Sequence, residues 1–223
     1  MSDCASMMWM PMPGQSWLGV AATFLGMWMV MMAAMMLPTL TPVLWRYRES
    51  VRTPDEKHPT CLTALVSAGY FCVWALTGLI VFLAGAGFAA LEMQSSALAR
   101  AAPVLAGLLV LAGGALQFTR WKARRLACCR ERPGCGRRAV ANRASAWRYG
   151  LRMGLQCSYC CIGFTAILLA IGVMDLCAMA VVTVAISLER LSPAGERMAR
   201  VAGVAAVAVG LAMIAGHGSA VAY

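Results

Sequence analysis

The chain has 223 residues, 61% of them hydrophobic and 13% charged, with a net charge of +10 and a mean hydropathy of +0.72. A soluble domain carries about 25% charged residues, so a water-soluble globule is excluded, and long apolar runs with little charge mark membrane-spanning helices. A membrane β-barrel alternates apolar and polar residues, which no segment here does; the basic residues lie in loops between apolar runs, so nucleic acid is not an expected partner.

The tail MSDCASMMWMPMPG carries Met7, Met8, Met10 and Met12, with Asp3 as its one charge. It reads either as an extracytoplasmic Met-rich capture arm or as a disordered end. It lacks the basic region of a signal peptide, and the apolar run behind it exceeds the usual core of about 7–15 residues. The first span is predicted over about 17–37 and stops at Pro38, because proline cannot continue a helix interior. The second is predicted over about 61–87 and the third over about 97–118. A basic loop, 119–152, follows. The nearly uncharged stretch 153–188 is 36 residues long. One span needs roughly 20 residues, so the stretch predicts a tight pair, about 153–172 and 175–189, turning at Gly172-Val173-Met174-Asp175. The sixth span is predicted over about 201–216.

The charges support this count. Residues 38–60 hold four basic residues, 119–152 hold eleven and 189–200 hold three, so 18 of the 19 lie after the first, third and fifth spans. Only Arg100 lies on the other side. The positive-inside rule makes the basic side cytoplasmic. The expected fold is therefore all-α: a polytopic transmembrane helix bundle of six helices, one domain over 1–223, with both termini extracytoplasmic. The basic cytoplasmic loop is expected to lie against anionic lipid headgroups.

Within the first span, Trp28 to Pro38 reads WMVMMAAMMLP, five of eleven residues being methionine. Met31 and Met35 are four apart, as are Met32 and Met36, so they share helix faces. Methionine fills irregular core gaps; its thioether is also a soft donor that suits Cu(I). In the fourth span, QCSYCC places Cys157, Cys160 and Cys161 at i, i+3 and i+4, on one face. Packing explains buried cysteines, and thiolate ligation of a soft cation explains their clustering. If Pro38 and Arg152 mark the cytoplasmic edge, the methionines lie roughly 3–10 Å inside it and the cysteines roughly 8–14 Å. Neighbouring first and fourth helices would bring the two sets into one pocket. Cys128, Cys129 and Cys135 in the basic loop read as relay ligands or as simple reduced thiols. Asp175 and His217 fall on the outer side, where they would line an ion's way in. Glu189 with Arg190 reads as an interfacial cap or ion pair.

Trp28, Met31, Ala34, Met35, Met36 and Pro38 form W-x-x-M-x-x-A-M-M-x-P. Gln117, Thr119 and Lys122, then Cys129-Arg130, the C-x-x-C-C run, Gly172-x-Met174 and Glu189 before Pro193-x-Gly195 follow in order. Together these motifs resemble a bacterial family of predicted metal-binding integral membrane proteins, sometimes labelled copper chaperones, over about residues 17–216. The resemblance implies copper binding and a place in the bacterial inner (cytoplasmic) membrane. The family commonly shows Cys-x-Gly-Cys-Cys-Trp, where this chain has Tyr159 and Ile162, and a second cysteine where it has Arg125.

Three functions fit the sequence. The first is a membrane protein that holds or hands on Cu(I) through Cys157, Cys160, Cys161, Met31, Met32, Met35, Met36 and Cys129, serving a copper donor or acceptor protein or membrane complex. The second is a structural or accessory subunit of a larger complex, with Gly78, Gly85, Gly107 and Gly114 allowing close helix contact. The third is a thiol–disulfide oxidoreductase, since Cys157-x-x-Cys160 is formally a CxxC. No Ser/His/Asp set, paired carboxylates or phosphate-binding glycine loop is visible, and the two histidines, His58 and His217, fall on opposite sides. An enzyme is not expected.

Overall fold

A backbone placed in hydrocarbon must satisfy its own hydrogen bonds, and a helix does so within one segment. The computed structural model describes residues 16–51, 59–124, 142–171, 175–192 and 194–221, with side chains to 216. The described residues form six long helices: α1 (Trp17–Val51), α2 (Pro59–Gln94), α3 (Ser96–Leu116), α4 (Arg143–Ile171), α5 (Leu176–Leu191) and α6 (Gly195–Val221). Residues 120–124 add a short helical turn.

Most helices overrun their hydropathy limits. α1 continues through Pro38 and Pro42 to Val51, where the sequence predicts a stop at Pro38. Each proline removes a backbone donor. The hydroxyls of Thr39 and Thr41 donate to the carbonyls of Met36 and Leu37, at 3.0 and 2.7 Å, and so add side-chain hydrogen bonds to the helix beside the prolines. α4 begins at Arg143, well inside the predicted basic loop. Between α2 and α3 only Ser95 stands outside the helices, and it caps α3 by accepting from the Leu98 amide. At α5 the cap is Asp175, whose carboxylate accepts from the Ala178 amide at 2.9 Å. That start agrees with the predicted turn; Gly172, Val173 and Met174 lie outside the described residues.

α1 to α4, and α6 over Gly195–Gly216, are long and apolar enough to cross a membrane. α5 is not: its 16 residues span about 24 Å against a hydrocarbon core of about 30 Å. The fifth expected span, about 175–189, is thus a helix shorter than a full crossing. Large apolar side chains such as Leu76, Ile80, Leu83, Leu108 and Val204 face outward, as lipid contact requires.

α4 is central, packed against α2, α3 and α5, while α1 packs on α2 and α5, and α6 on α3 and α5. Glycines set the closest approaches. A Cβ on Gly150 would collide with the Val66 carbonyl, and one on Gly154 would stand 2.9 Å from the Tyr70 carbonyl, so α2 and α4 run parallel in contact. α3 meets α4 where Gly113 and Gly163 face each other; a Cβ on either would stand 2.8 Å from the other's carbonyl oxygen. The main core gathers side chains from all six helices, and Tyr47, Val51, Leu62, Val66 and Ala146 form a second cluster where α1 ends and α2 and α4 begin.

Candidate metal centre

Helical spacing turns Cys157, Cys160 and Cys161 to the inner face of α4, where all three are buried. Tyr159 and Ile162, the positions that depart from the family pattern, are 44% and 48% exposed on the other side. The departures therefore leave the thiol face intact. On α1, Met31, Met32, Met35 and Met36 are at most 5% exposed, while Val30 and Leu37 in the same run are 73% and 48% exposed. Methionine holds the inner face of this stretch, and branched aliphatic residues take outer positions.

The Met stripe is held in register by Trp28. Its Nε1 donates to the Trp74 carbonyl of α2 at 3.0 Å, and its indole lies against Gly78. A Cβ on Gly78 would stand 2.5 Å from the indole Cδ1, so the fit requires glycine.

α1 and α4 meet through side chains rather than through an extended backbone seam. Where α1 ends and α4 begins, Tyr47 and Tyr149 stack with centroids 5.3 Å apart. Further along, Cys157 Sγ lies 3.7 Å from Met36 Sδ. A long thioether reaches across the space between the helices. Tyr70 of α2 adds its hydroxyl, 2.9 Å from Cys157 Sγ. Met31, Met32, Met35 and all three cysteines belong to the same core cluster.

Charged groups flank the sulfurs. Lys122 Nζ donates to the Cys160 carbonyl at 2.7 Å, pairs with Glu189 Oε2 at 3.1 Å and stands 4.9 Å above the Phe164 ring. Both partners of that ion pair are buried. Arg190 Nη2 donates to Cys161 Sγ at 3.7 Å. The sequence reading of Glu189 with Arg190 as an interfacial pair is corrected here: Glu189 turns inward to Lys122, and Arg190 turns to the thiol. Consecutive helical residues point about 100° apart, so these two face different neighbours.

Counting only His, Cys, Asp and Glu, no group of three that would hold a metal ion occurs among the described residues. The donors that do meet are mixed, thiol with thioether, and such soft sulfur donors suit Cu(I). Cys129, with Cys128 and Cys135, lies outside the described residues, as do Met7, Met8, Met10 and Met12 of the tail; the His217 side chain is likewise not described. Sequence reasoning missed Tyr70, the turn of Arg190 to Cys161 and the pairing of Lys122 with Glu189. A signal for the last existed: Lys122 is one of two lysines in the chain, and Glu189 is the only acidic residue between 176 and 195.

The fold and site define a class: an all-helical bundle, five of whose helices are long enough and apolar enough to cross a membrane, with thiol and thioether sulfurs gathered in its core. Within that class the chain belongs to the PpoB2 copper chaperone family, whose sequence profile matches residues 25–213. The matched range contains the Met stripe, the cysteine face and the Lys122–Glu189 pair. No curated protein and no solved structure matches the chain.

Proposed function

We propose that this protein resides in the bacterial inner membrane as a multi-pass bundle, holds Cu(I) between α1 and α4, and hands it to an acceptor protein or membrane complex. The observation that carries this reading is the 3.7 Å approach of Cys157 Sγ to Met36 Sδ inside a buried core. Copper is cargo here. Cys157 binds as a thiolate and Met36 as a thioether. Cys160 and Cys161 stand within one turn, and Met31, Met32 and Met35 line the same face of α1. Cys129 in the basic loop is the relay toward the cytoplasm. The basic residues face that side inward, against anionic headgroups, with both termini outside and the short α5 making the sixth crossing through a locally thinned bilayer.

The test is copper content of the protein purified in detergent under anaerobic reducing conditions with Cu(I) supplied. The parent is expected to hold near-stoichiometric copper. The Cys157/Cys160/Cys161→Ser variant is expected to lose it, and Met36→Leu to bind it more weakly. Equal copper in parent and triple variant would sink this reading. Packing would then account for the sulfurs, or disulfide mapping of Cys157 and Cys160 would decide for thiol redox chemistry.

A further inference from the structure

Four-residue spacing puts Tyr149, Met153 and Cys157 in one row on α4. Both ends of the row are fixed to α1: Cys157 Sγ meets Met36 Sδ at 3.7 Å, and the Tyr149 ring stacks on Tyr47 at 5.3 Å. Met153 stands between them, about 6 Å along the helix axis from each. Among the described residues, two side chains pack against both the main core and the second cluster, Leu44 of α1 and Met153. Of these, only Met153 carries a sulfur. Cys157 is 1% exposed and Met153 is half-buried. The Met153 thioether therefore lies between the sealed sulfur cluster and the end of α4 where Arg143, Arg148 and Arg152 are exposed.

We infer that Met153 is a relay ligand, the sulfur through which Cu(I) passes between the Cys157–Met36 site and the arginine-bearing end of α4. The inference rests on the reading of the site as a copper centre. A bare cation in an apolar interior is costly, so an ion leaving Cys157 needs another soft donor within reach. Methionine suits that step: three rotatable bonds let its sulfur swing between positions, and a thioether has no proton to lose. The Met153–copper bond forms as the Cys157–copper bond breaks, with no change of oxidation state. Over the whole transfer, one proton from solvent replaces one Cu(I) on Cys157. The α3 and α5 side of the cluster is a poorer way out. There the Lys122 ammonium already holds the Cys160 carbonyl and Glu189 Oε2, at 2.7 and 3.1 Å, oxygens that a passing cation would use.

The experiment loads detergent-purified protein with Cu(I) and follows its transfer to bathocuproine disulfonate, a Cu(I) chelator, in an excess that does not limit the rate. Met153→Leu and Met153→Ile remove the sulfur with little change of volume, and Met153→Cys keeps a sulfur on a smaller side chain. All three are expected to hold as much copper as the parent. The two sulfur-free variants are expected to release it at least about tenfold more slowly, and Met153→Cys at close to the parent rate. Either sulfur-free variant suffices if the other does not fold. A parent rate in a sulfur-free variant, or a Met153→Cys variant as slow as they are, overturns the relay and leaves the Cys157–Met36 site standing. Copper missing from the sulfur-free variants at equilibrium also overturns it, because Met153 is then a resident ligand. A parent that binds no Cu(I) overturns the site itself, and this inference with it.

Discussion

Tyr70 is the residue that hydropathy hides best. It sits in the apolar run of α2, yet its hydroxyl is 2.9 Å from Cys157 Sγ. Groups that hydrogen-bond a metal ligand orient it and tune its affinity. Tyr70→Phe is expected to lower Cu(I) affinity about tenfold to a hundredfold with unchanged stoichiometry at saturation, read by chelator competition. The same affinity in both proteins would reduce the contact to packing. Lys122 and Glu189 make a second prediction at this scale. Lys122→Met alone strands a buried carboxylate and is expected to cost roughly 3–5 kcal/mol. Lys122→Met with Glu189→Leu removes the pair as a unit and should recover most of that loss, because isosteric apolar replacement of a buried pair is often neutral. Denaturant titration in micelles measures both, and a double variant as unstable as the single one refutes the pairing argument.

At the scale of elements, close approach through glycine decides which helices touch. Gly150 has the Val66 carbonyl where a Cβ would go, while Gly26 has open space around it. Gly150→Ala must push α2 from α4 and is expected to destabilise by about 1–3 kcal/mol, the usual scale of overpacking. Gly26→Ala should be neutral, or stabilising by up to about 1 kcal/mol, since alanine is the better helix former. Thermal unfolding of the two variants side by side checks the contrast. Element boundaries were the least legible feature in the sequence. Pro38 reads as a stop when only chain-local rules apply, yet α1 runs through it to Val51, with Thr39 and Thr41 hydroxyls on the nearby carbonyls. Polar residues at the end of α2 and the start of α4 likewise fall outside an apolar window while their backbone hydrogen bonds continue.

At the scale of the molecule, the basic asymmetry and the helix directions make one claim. Cys61, at the start of α2, and Cys177, at the start of α5, are both exposed and belong to opposite sides in the proposed topology. With single-cysteine variants in intact spheroplasts, a membrane-impermeant maleimide is expected to label Cys177, and to label Cys61 only after permeabilisation. The reverse pattern would invert the protein, and labelling of both from one side would remove one of α2, α3 and α4 from the crossing helices.

The all-α class, the order of the apolar segments, the inward Met and Cys faces and the copper chaperone family were legible from the sequence, because hydropathy, helical spacing and motif order are properties of contiguous residues. Met36 and Cys157 each stand out on their own helix. Their meeting at 3.7 Å does not, since it depends on how α2 and α5 hold α1 against α4. The same is true of Lys122 with Glu189 and of Arg190 with Cys161, whose partners lie on different helices. Which helices become neighbours is set by surface shape, down to single glycines at Gly113, Gly150 and Gly163. Shape complementarity between distant segments leaves no periodic trace in either one, so only the tertiary structure decided it.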